Sequence, residues 1–107
     1  MHMTRIHFHE SFYDMILQGE KTQTARIEEP HYPLGTAMAD FSDGKSLPIE
    51  IVEITYQTIN EMSLSAVQKD GFNTKDELWN ALLGFYPHLQ ADDLLMLVEF
   101  RCIMNKK

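Results

Sequence analysis

The segment "GEKTQTAR", residues 19–26, concentrates polar chemistry within a small chain. Lys21 and Arg26 supply two cations, and Thr22 and Thr24 supply two hydroxyls. Threonine favours β-structure, and the alternation of side chains along a strand would place Thr22, Thr24 and Arg26 on one face. The segment is therefore either an ordinary solvated strand or the functional centre of the protein.

The residues before this segment predict a strand followed by a short helix. "MTRIHF", residues 3–8, alternates between apolar and polar side chains, as a half-buried strand does. In "ESFYDMILQG", Phe12, Met15 and Ile16 have the i, i+3, i+4 spacing of one helix face. Gly19 is well suited to end that helix.

The residues after this segment predict a hairpin, two helices and a last strand. "EEPHYPLG" is a loop, and "TAMADF" and "SLPIEIVEITYQ" are strands joined by the tight turn "SDGK". "SLSAVQKDG" and "NTKDELWNALLGFYP" are helices, and Thr74 with Glu77 forms a capping box at the start of the second. "LLMLVEFRCIM" is nearly all apolar, which is typical of an interior strand. This order predicts an α+β fold, a small barrel or strongly curved sheet with helices packed outside.

Composition and charge limit the classes of function. The chain of 107 residues fits one domain, residues 1–107, with 44% apolar residues and a single cysteine, Cys102. It contains neither a run of about 18 apolar residues nor a signal-peptide apolar region, so we expect a cytoplasmic protein that does not cross a membrane. The net charge is -7, from 9 Lys+Arg and 16 Asp+Glu. Binding of generic RNA is disfavoured because it requires clustered cations, whereas a small molecule in a locally cationic pocket is compatible with this charge.

The chemistry of the opening segment suits nucleophilic catalysis. A lysine that is partly desolvated and near another cation has a lowered pKa and can act as a base. A threonine hydroxyl becomes a nucleophile when a base removes its proton, and an arginine can hold a carbonyl or an oxyanion. In an ideal strand Lys21 and Thr24 would lie on opposite faces, so the pair requires Lys21 to lie in the turn after Gly19 and to curl back.

The motif "ILQGEKTQTAR", with the aromatic of "HYPLG", "YP" at 86–87 and "VEFRC" at 98–102, resembles the ASCH domain family. That family has a small barrel related to the PUA RNA-binding domain, and the likeness extends over nearly the whole chain. These segments resemble the bacterial N4-acetylcytidine amidohydrolase branch. The resemblance implies a PUA-like β-barrel with flanking helices and hydrolysis of N4-acetylcytidine, a modified nucleoside, to cytidine and acetate, with no cofactor.

The resemblance also implies roles for individual residues. Lys21 matches the proton acceptor of that branch, Thr24 the nucleophile, and Arg26 the motif arginine. The proton donor of the branch is a glutamate, often in Glu-Gly-Phe. This chain has "DGF", so Asp70 is carried over, and Glu77 is the alternative acid.

Several alternatives stay open at the level of sequence. Tyr32, in the loop after the motif, either stacks on a pyrimidine ring or anchors the loop. His7 and His9 have the spacing of a metal-ligand pair on one strand face, but no third ligand is evident, so no metal is expected. The rival to the enzyme is a non-catalytic RNA- or nucleotide-binding module, and a third alternative is an enzyme that acts on another acylated small molecule. The sequence does not indicate an oligomeric state.

Overall fold

The structure is a computed structural model that describes residues 3–27 and 29–104. Within these ranges the chain forms five strands and three helices, with 3-10 turns at Glu10–Phe12 and Ile59–Glu61. In chain order the elements are β1 (Thr4–Phe8), α1 (Tyr13–Leu17), β2 (Gln23–Arg26), β3 (Gly35–Phe41), β4 (Ser46–Gln57), α2 (Leu64–Lys69), α3 (Lys75–Phe85) and β5 (Leu95–Cys102). The order agrees with the predicted one.

The strands form one mixed sheet shaped as a half-barrel. Its strand order is β1-β3-β4-β5-β2, so in the described part of the chain β1 and β2 lie at the two edges. β1 pairs parallel to β3, and the other neighbours are antiparallel. The predicted hairpin is confirmed, because β3 and β4 pair from Gly35–Ile51 to Asp40–Ser46 around the "SDGK" turn. The short polar strand β2 is thus an edge strand that pairs with β5 in the described part of the chain.

Two hydrophobic clusters cover the two faces of β5. Met96, Val98 and Phe100 belong to a cluster shared with β1, β3 and β4. Leu95 and Leu97 belong to a second cluster, which packs beneath α2 and α3. The apolar run that predicted an interior strand is explained by this burial on both faces.

Two local predictions need correction. The first helix is shorter than its apolar spacing indicated, because Glu10–Phe12 is a 3-10 turn and the α-helix covers only Tyr13–Leu17. At the start of α3 only half of the predicted capping box forms. The Thr74 side chain accepts from Glu77 N, while the Glu77 carboxylate accepts from Asn73 N. A complete capping box that was not predicted lies instead at Thr58 and Glu61.

Two glycines end α1 and α2 and turn the chain toward the same place. Gly19 has φ 82° and Gly71 has φ 97°, a left-handed conformation that glycine adopts without steric cost. Lys21 lies two residues after Gly19, and Asp70 directly precedes Gly71. These two turns therefore bring residues from distant parts of the sequence to one point.

The turn at Gly71 generates a stability prediction. In Gly71→Ala the new Cβ would lie 2.9 Å from Met15 Cε, and the residue would keep a positive φ. We expect the free energy of unfolding to fall by about 1–2 kcal/mol, the cost of a left-handed conformation for a residue with a Cβ. Urea denaturation measures the change.

Gly84→Ala is the matched control for this substitution. Gly84 lies within α3, and a Cβ there would meet nothing within 4 Å. We expect this variant to be more stable than the wild type by about 0.5–1 kcal/mol, because alanine favours a helix. A similar loss of stability in both variants would contradict the conformational argument.

Candidate active site

The Lys21 side chain is positioned by the turn between α1 and β2. The carbonyl of Met15 accepts hydrogen bonds from both Glu20 N, at 2.8 Å, and Lys21 N, at 3.0 Å. Thr22 N donates to the carbonyl of Lys69, at the end of α2, at 2.8 Å. Because these bonds curl the chain before β2 begins, Lys21 does not follow the alternation of an ideal strand, and it lines the same cavity as Thr24.

Lys21 and Asp70 form a buried ion pair. Lys21 Nζ donates to Asp70 Oδ1 at 3.0 Å and to the Asp70 carbonyl at 2.6 Å. Both residues are only 3% exposed. Nζ also lies 4.6 Å from the centroid of the Phe12 ring and 5.9 Å from that of Phe72, which adds cation–π attraction. The pair is thus excluded from water and enclosed by aromatic rings.

Gln23 holds the other carboxylate oxygen of Asp70. Its Nε2 donates to Asp70 Oδ2 at 3.3 Å and to the carbonyl of Ala66 at 3.1 Å. Gln23 is a site residue that the sequence pattern does not predict. Its alternation with Thr24 placed it on the other strand face, and only the position of α2 shows that this face also touches Asp70.

Thr24 and Arg26 form the second part of the site. Arg26 Nε donates to Thr24 Oγ1 at 3.0 Å, and Arg26 Nη2 donates to the carbonyl of His7 at 2.6 Å. The guanidinium lies over the Phe8 ring, with Cζ 5.0 Å from its centroid. The Thr24 oxygen therefore accepts a hydrogen bond from a permanent cation, which leaves its own proton available to a base.

The surroundings of Lys21 make its amine more acidic. Burial lowers the pKa of the Lys21 ammonium below its usual value. Asp70 opposes this shift through its charge and its hydrogen bond, and the nearby charge of Arg26 lowers the pKa further. A lysine in this setting loses its proton more readily than one on the surface.

One cavity joins these groups. Its volume is about 90 Å³. Three kinds of residue line it: the polar groups Lys21, Thr24, Arg26, Asp70 and His7, aromatic residues that include Phe8, Phe12, Phe72, Phe85 and Tyr86, and the aliphatic face of α3. The structure thus brings together four of the five predicted site residues.

Tyr32 is the predicted site residue that does not line the cavity. Its hydroxyl donates to Glu29 Oε1 in the same loop. The alternative acid, Glu77, accepts from the backbone of Asn73 at 2.9 Å and also lies outside the cavity lining. Of the two candidate acids, Asp70 alone lies beside Lys21.

His7 and His9 lie in different surroundings. His9 Nδ1 contacts Ser11 Oγ at 2.9 Å at the start of the 3-10 turn, whereas His7 lines the cavity. In residues 3–27 and 29–104, no three His, Cys, Asp or Glu side chains group in a way that could hold a metal ion.

No helix in the described part of the chain is long and apolar enough to cross a membrane.

Comparisons with known proteins support the fold. No protein-family model and no curated protein matches the sequence. The fold is similar to that of an ASCH domain from Lactobacillus crispatus JV V101, with a TM-score of 0.77, 21% identity, and coverage of 96% of this chain and 80% of that chain.

Two further solved structures are also similar. A protein from Enterococcus faecalis V583 has a TM-score of 0.69 and 18% identity, over 96% of this chain and 82% of that one. A hypothetical protein has a TM-score of 0.74 and 15% identity, over 95% of this chain and 100% of that one. The predicted ASCH-type, PUA-like α+β fold is therefore confirmed.

The buried ion pair generates a prediction about stability and pH. Asp70→Asn leaves the Lys21 charge buried without its carboxylate, and we expect a loss of about 3–5 kcal/mol at about pH 7. Without Asp70 the pKa of Lys21 falls further below its unfolded value, so the unfolded chain binds more protons in the window between the two values. Stability then rises with pH in that window, and the deficit should shrink at about pH 10. Urea denaturation at both pH values measures it.

The surface pair of Lys69 and Glu99 provides the control for this experiment. Lys69 Nζ lies 3.5 Å from Glu99 Oε2, and both side chains are partly exposed to solvent. We expect Glu99→Gln to change stability by less than about 1 kcal/mol, as for other exposed pairs. Equal losses in the two variants, or a deficit in Asp70→Asn that does not depend on pH, would show that burial of Lys21 is not the cause.

Proposed function

We propose that this protein is an amidohydrolase that cleaves the exocyclic amide of N4-acetylcytidine or related N4-acyl cytosines. The observation that carries the proposal is the meeting of a buried Lys21–Asp70 pair and the Thr24 hydroxyl in one cavity. The resemblance of the "KTQTAR" motif to the N4-acetylcytidine amidohydrolase branch supports the choice of substrate. The ASCH-type fold agrees with that resemblance but does not select a substrate.

The ion pair can supply both a base and an acid. Transfer of one proton from the Lys21 ammonium to the Asp70 carboxylate, across 3.0 Å, produces a neutral amine and a carboxylic acid. The total number of protons is unchanged, so no exchange with solvent is needed. Burial lowers the pKa of the Lys21 ammonium, which favours the release of its proton. The base required for Thr24 and the acid required for the leaving group thus arise in one step.

The neutral amine of Lys21 then takes the proton of Thr24, and Thr24 Oγ1 attacks the acyl carbonyl carbon. A carbon–oxygen bond forms, and the electron pair of the carbonyl double bond moves to its oxygen. Arg26, which donates to Thr24 Oγ1 at 3.0 Å, stabilises the charge that develops on the nucleophile. The same cation can also stabilise the oxyanion of the tetrahedral intermediate.

Collapse of the intermediate breaks the carbon–nitrogen bond. Asp70 gives its proton to the departing N4 nitrogen, so cytidine leaves with a neutral amine. A second proton transfer from Lys21 to Asp70 restores the neutral amine, which takes one proton from water as the water oxygen attacks the acyl-Thr24 ester. The bond from the acyl carbon to Thr24 Oγ1 then breaks, and Asp70 returns its proton to Thr24. The carboxylic acid product leaves and releases its proton to the solvent.

The size of the cavity restricts how such a substrate is bound. A volume of about 90 Å³ is far below the roughly 300–1,000 Å³ of pockets that enclose a whole drug-sized ligand. The cavity is large enough for the acyl amide alone. The rest of the nucleoside would extend past Phe85 and Tyr86, which line the cavity at the end of α3, and Phe85 is 65% exposed.

The alternative RNA-binding module is less well supported. A phosphate ligand would compete with partners that both cations already have, because Lys21 donates to Asp70 and Arg26 donates to Thr24 and His7. The net charge of -7 also opposes binding to a polyanion. Both cations therefore already have partners inside the cavity, Lys21 with Asp70 and Arg26 with Thr24.

Replacement of Thr24 tests the proposed nucleophile. We expect Thr24→Ala to abolish release of cytidine from N4-acetylcytidine, because no hydroxyl remains to form the acyl-enzyme. Thr24→Ser restores a hydroxyl and should retain turnover. Chromatographic detection of cytidine measures the rate, and circular dichroism establishes that each variant is folded.

Thr22→Ala is the matched control for this test. Thr22 lies two positions earlier and is not among the residues that line the cavity. We expect its variant to keep turnover within a few-fold of the wild type. A folded Thr24→Ala variant with near-normal turnover would show that the covalent mechanism is wrong.

A binding experiment separates the enzyme from the RNA module. We expect negligible affinity for unmodified single-stranded RNA at physiological ionic strength, together with turnover of N4-acetylcytidine that a chelator does not reduce. Fluorescence titration of labelled RNA at two salt concentrations measures the affinity. Tight binding that weakens steeply with salt, without hydrolysis, would favour the RNA module. Loss of turnover with chelator would restore the histidine pair as candidate metal ligands.

A further inference from the structure

The carboxylate of Glu29 joins three separate parts of the molecule. Glu29 follows β2 in the loop, and its Oε2 lies 3.6 Å from Arg26 Nη1. Oε2 also accepts a hydrogen bond from the Tyr86 hydroxyl, just beyond α3, at 3.1 Å. Oε1 accepts from the hydroxyl of Tyr32, farther along the loop. One side chain therefore connects the edge strand, the loop and the end of α3.

Both tyrosine hydroxyls donate to Glu29. Burial, together with hydrogen bonding to Glu29, raises the pKa of Tyr32, and burial and the charge of Glu29 raise the pKa of Tyr86. Both hydroxyls consequently keep their protons at neutral pH. The Glu29 carboxylate is thus fixed from two directions while its negative charge faces Arg26.

Arg26 connects this cluster to the proposed nucleophile. Each of its three guanidinium nitrogens has a separate neighbour. Nε donates to Thr24 Oγ1, Nη2 donates to the His7 carbonyl, and Nη1 faces Glu29. The His7 carbonyl is neutral, so within residues 3–27 and 29–104 Glu29 is the anion that pairs with the guanidinium. Loss of that charge would leave the guanidinium free to tilt away from Thr24, because one anchor would no longer attract it.

We propose that Glu29 is a positioning residue for amide hydrolysis, which holds Arg26 in hydrogen-bonding contact with Thr24 and fastens Tyr86 in the wall of the same cavity. This inference rests on the proposed function and adds a residue to its machinery. Glu29 acts through Arg26 and Tyr86 and does not itself touch the reacting atoms. Thr24 then has two ion pairs in its surroundings, Lys21 with Asp70 and Arg26 with Glu29.

Glu29→Gln tests this role because it keeps the size of the side chain and removes its charge. We expect kcat for N4-acetylcytidine to fall by about ten- to a hundredfold. This is the scale of losing one charged hydrogen bond, here the bond from Arg26 to Thr24. KM should change by less than about threefold, since the lost contact acts in the transition state. The control is Glu50→Gln, because Glu50 pairs with Arg101, at 2.6 Å, and neither residue is among those that line the cavity. Its kcat should not change.

A second measurement makes the test independent of catalysis. Exchange of the Arg26 Nε–H with water, followed by NMR of the protein without substrate, reports its hydrogen bond to Thr24. We expect slow exchange in the wild type and in Glu50→Gln, and faster exchange in Glu29→Gln. If the wild type has no hydrolase activity, the proposed function fails, and this exchange still decides whether Glu29 holds Arg26.

The outcomes separate positioning from mere folding. Unchanged kcat in Glu29→Gln, or a lower kcat with unchanged exchange at Arg26, would overturn the inference. If Glu29→Gln does not fold, Tyr32→Phe replaces it, because this variant removes one donor to the carboxylate outside the cavity. We expect a smaller fall in kcat there, about two- to tenfold, with faster exchange at Arg26. Wild-type values of both quantities in Tyr32→Phe would also overturn the inference.

Discussion

The buried ion pair between Lys21 and Asp70 is the interaction on which the rest of the site depends. Each partner is 3% exposed, so each charge has lost nearly all of its hydration. Such a loss is tolerable only with good geometry and with further hydrogen bonds to the remaining donors and acceptors. The Asp70 carbonyl and Gln23 supply these bonds. The turn after α1 and the end of α2 must therefore stay in register, and every other group of the cavity is arranged around that contact.

The same constraint explains how an acidic chain can contain a reactive lysine. A surface lysine would be a solvated ammonium, whereas burial and the neighbouring Arg26 lower the pKa of Lys21. The carboxylate that keeps this charge tolerable is also the nearest group able to receive its proton. Structural stability and the proposed acid–base chemistry thus both require the Asp70 carboxylate to lie beside the Lys21 amine. The aromatic rings of Phe12 and Phe72 add to it by excluding water.

The ASCH-type fold and the chemistry proposed for it are supported by different evidence. Structures with 15–21% sequence identity share the fold, and a shared fold can carry unrelated activities. The proposal of an amidohydrolase depends instead on the motif and on the internal bonds of its cations. Arg26 illustrates the distinction, because its donors are directed to Thr24 and to a backbone carbonyl. A phosphate would have to compete with these partners and with the Glu29 carboxylate for the guanidinium.

The sequence by itself determined the order of elements, the hairpin and the interior position of β5, since these features follow from local periodicity and turn residues. It also drew attention to Lys21, Thr24 and Arg26, because their types and spacing carry chemistry. Only the tertiary structure decided that the Asp70 carboxylate lies beside Lys21, that Gln23 holds its second oxygen and that Glu29 faces Arg26. The Lys21–Asp70 contact joins residues 49 positions apart. No local pattern encodes such a distance, because it is set by the packing of α1 and α2 against the edge of the sheet.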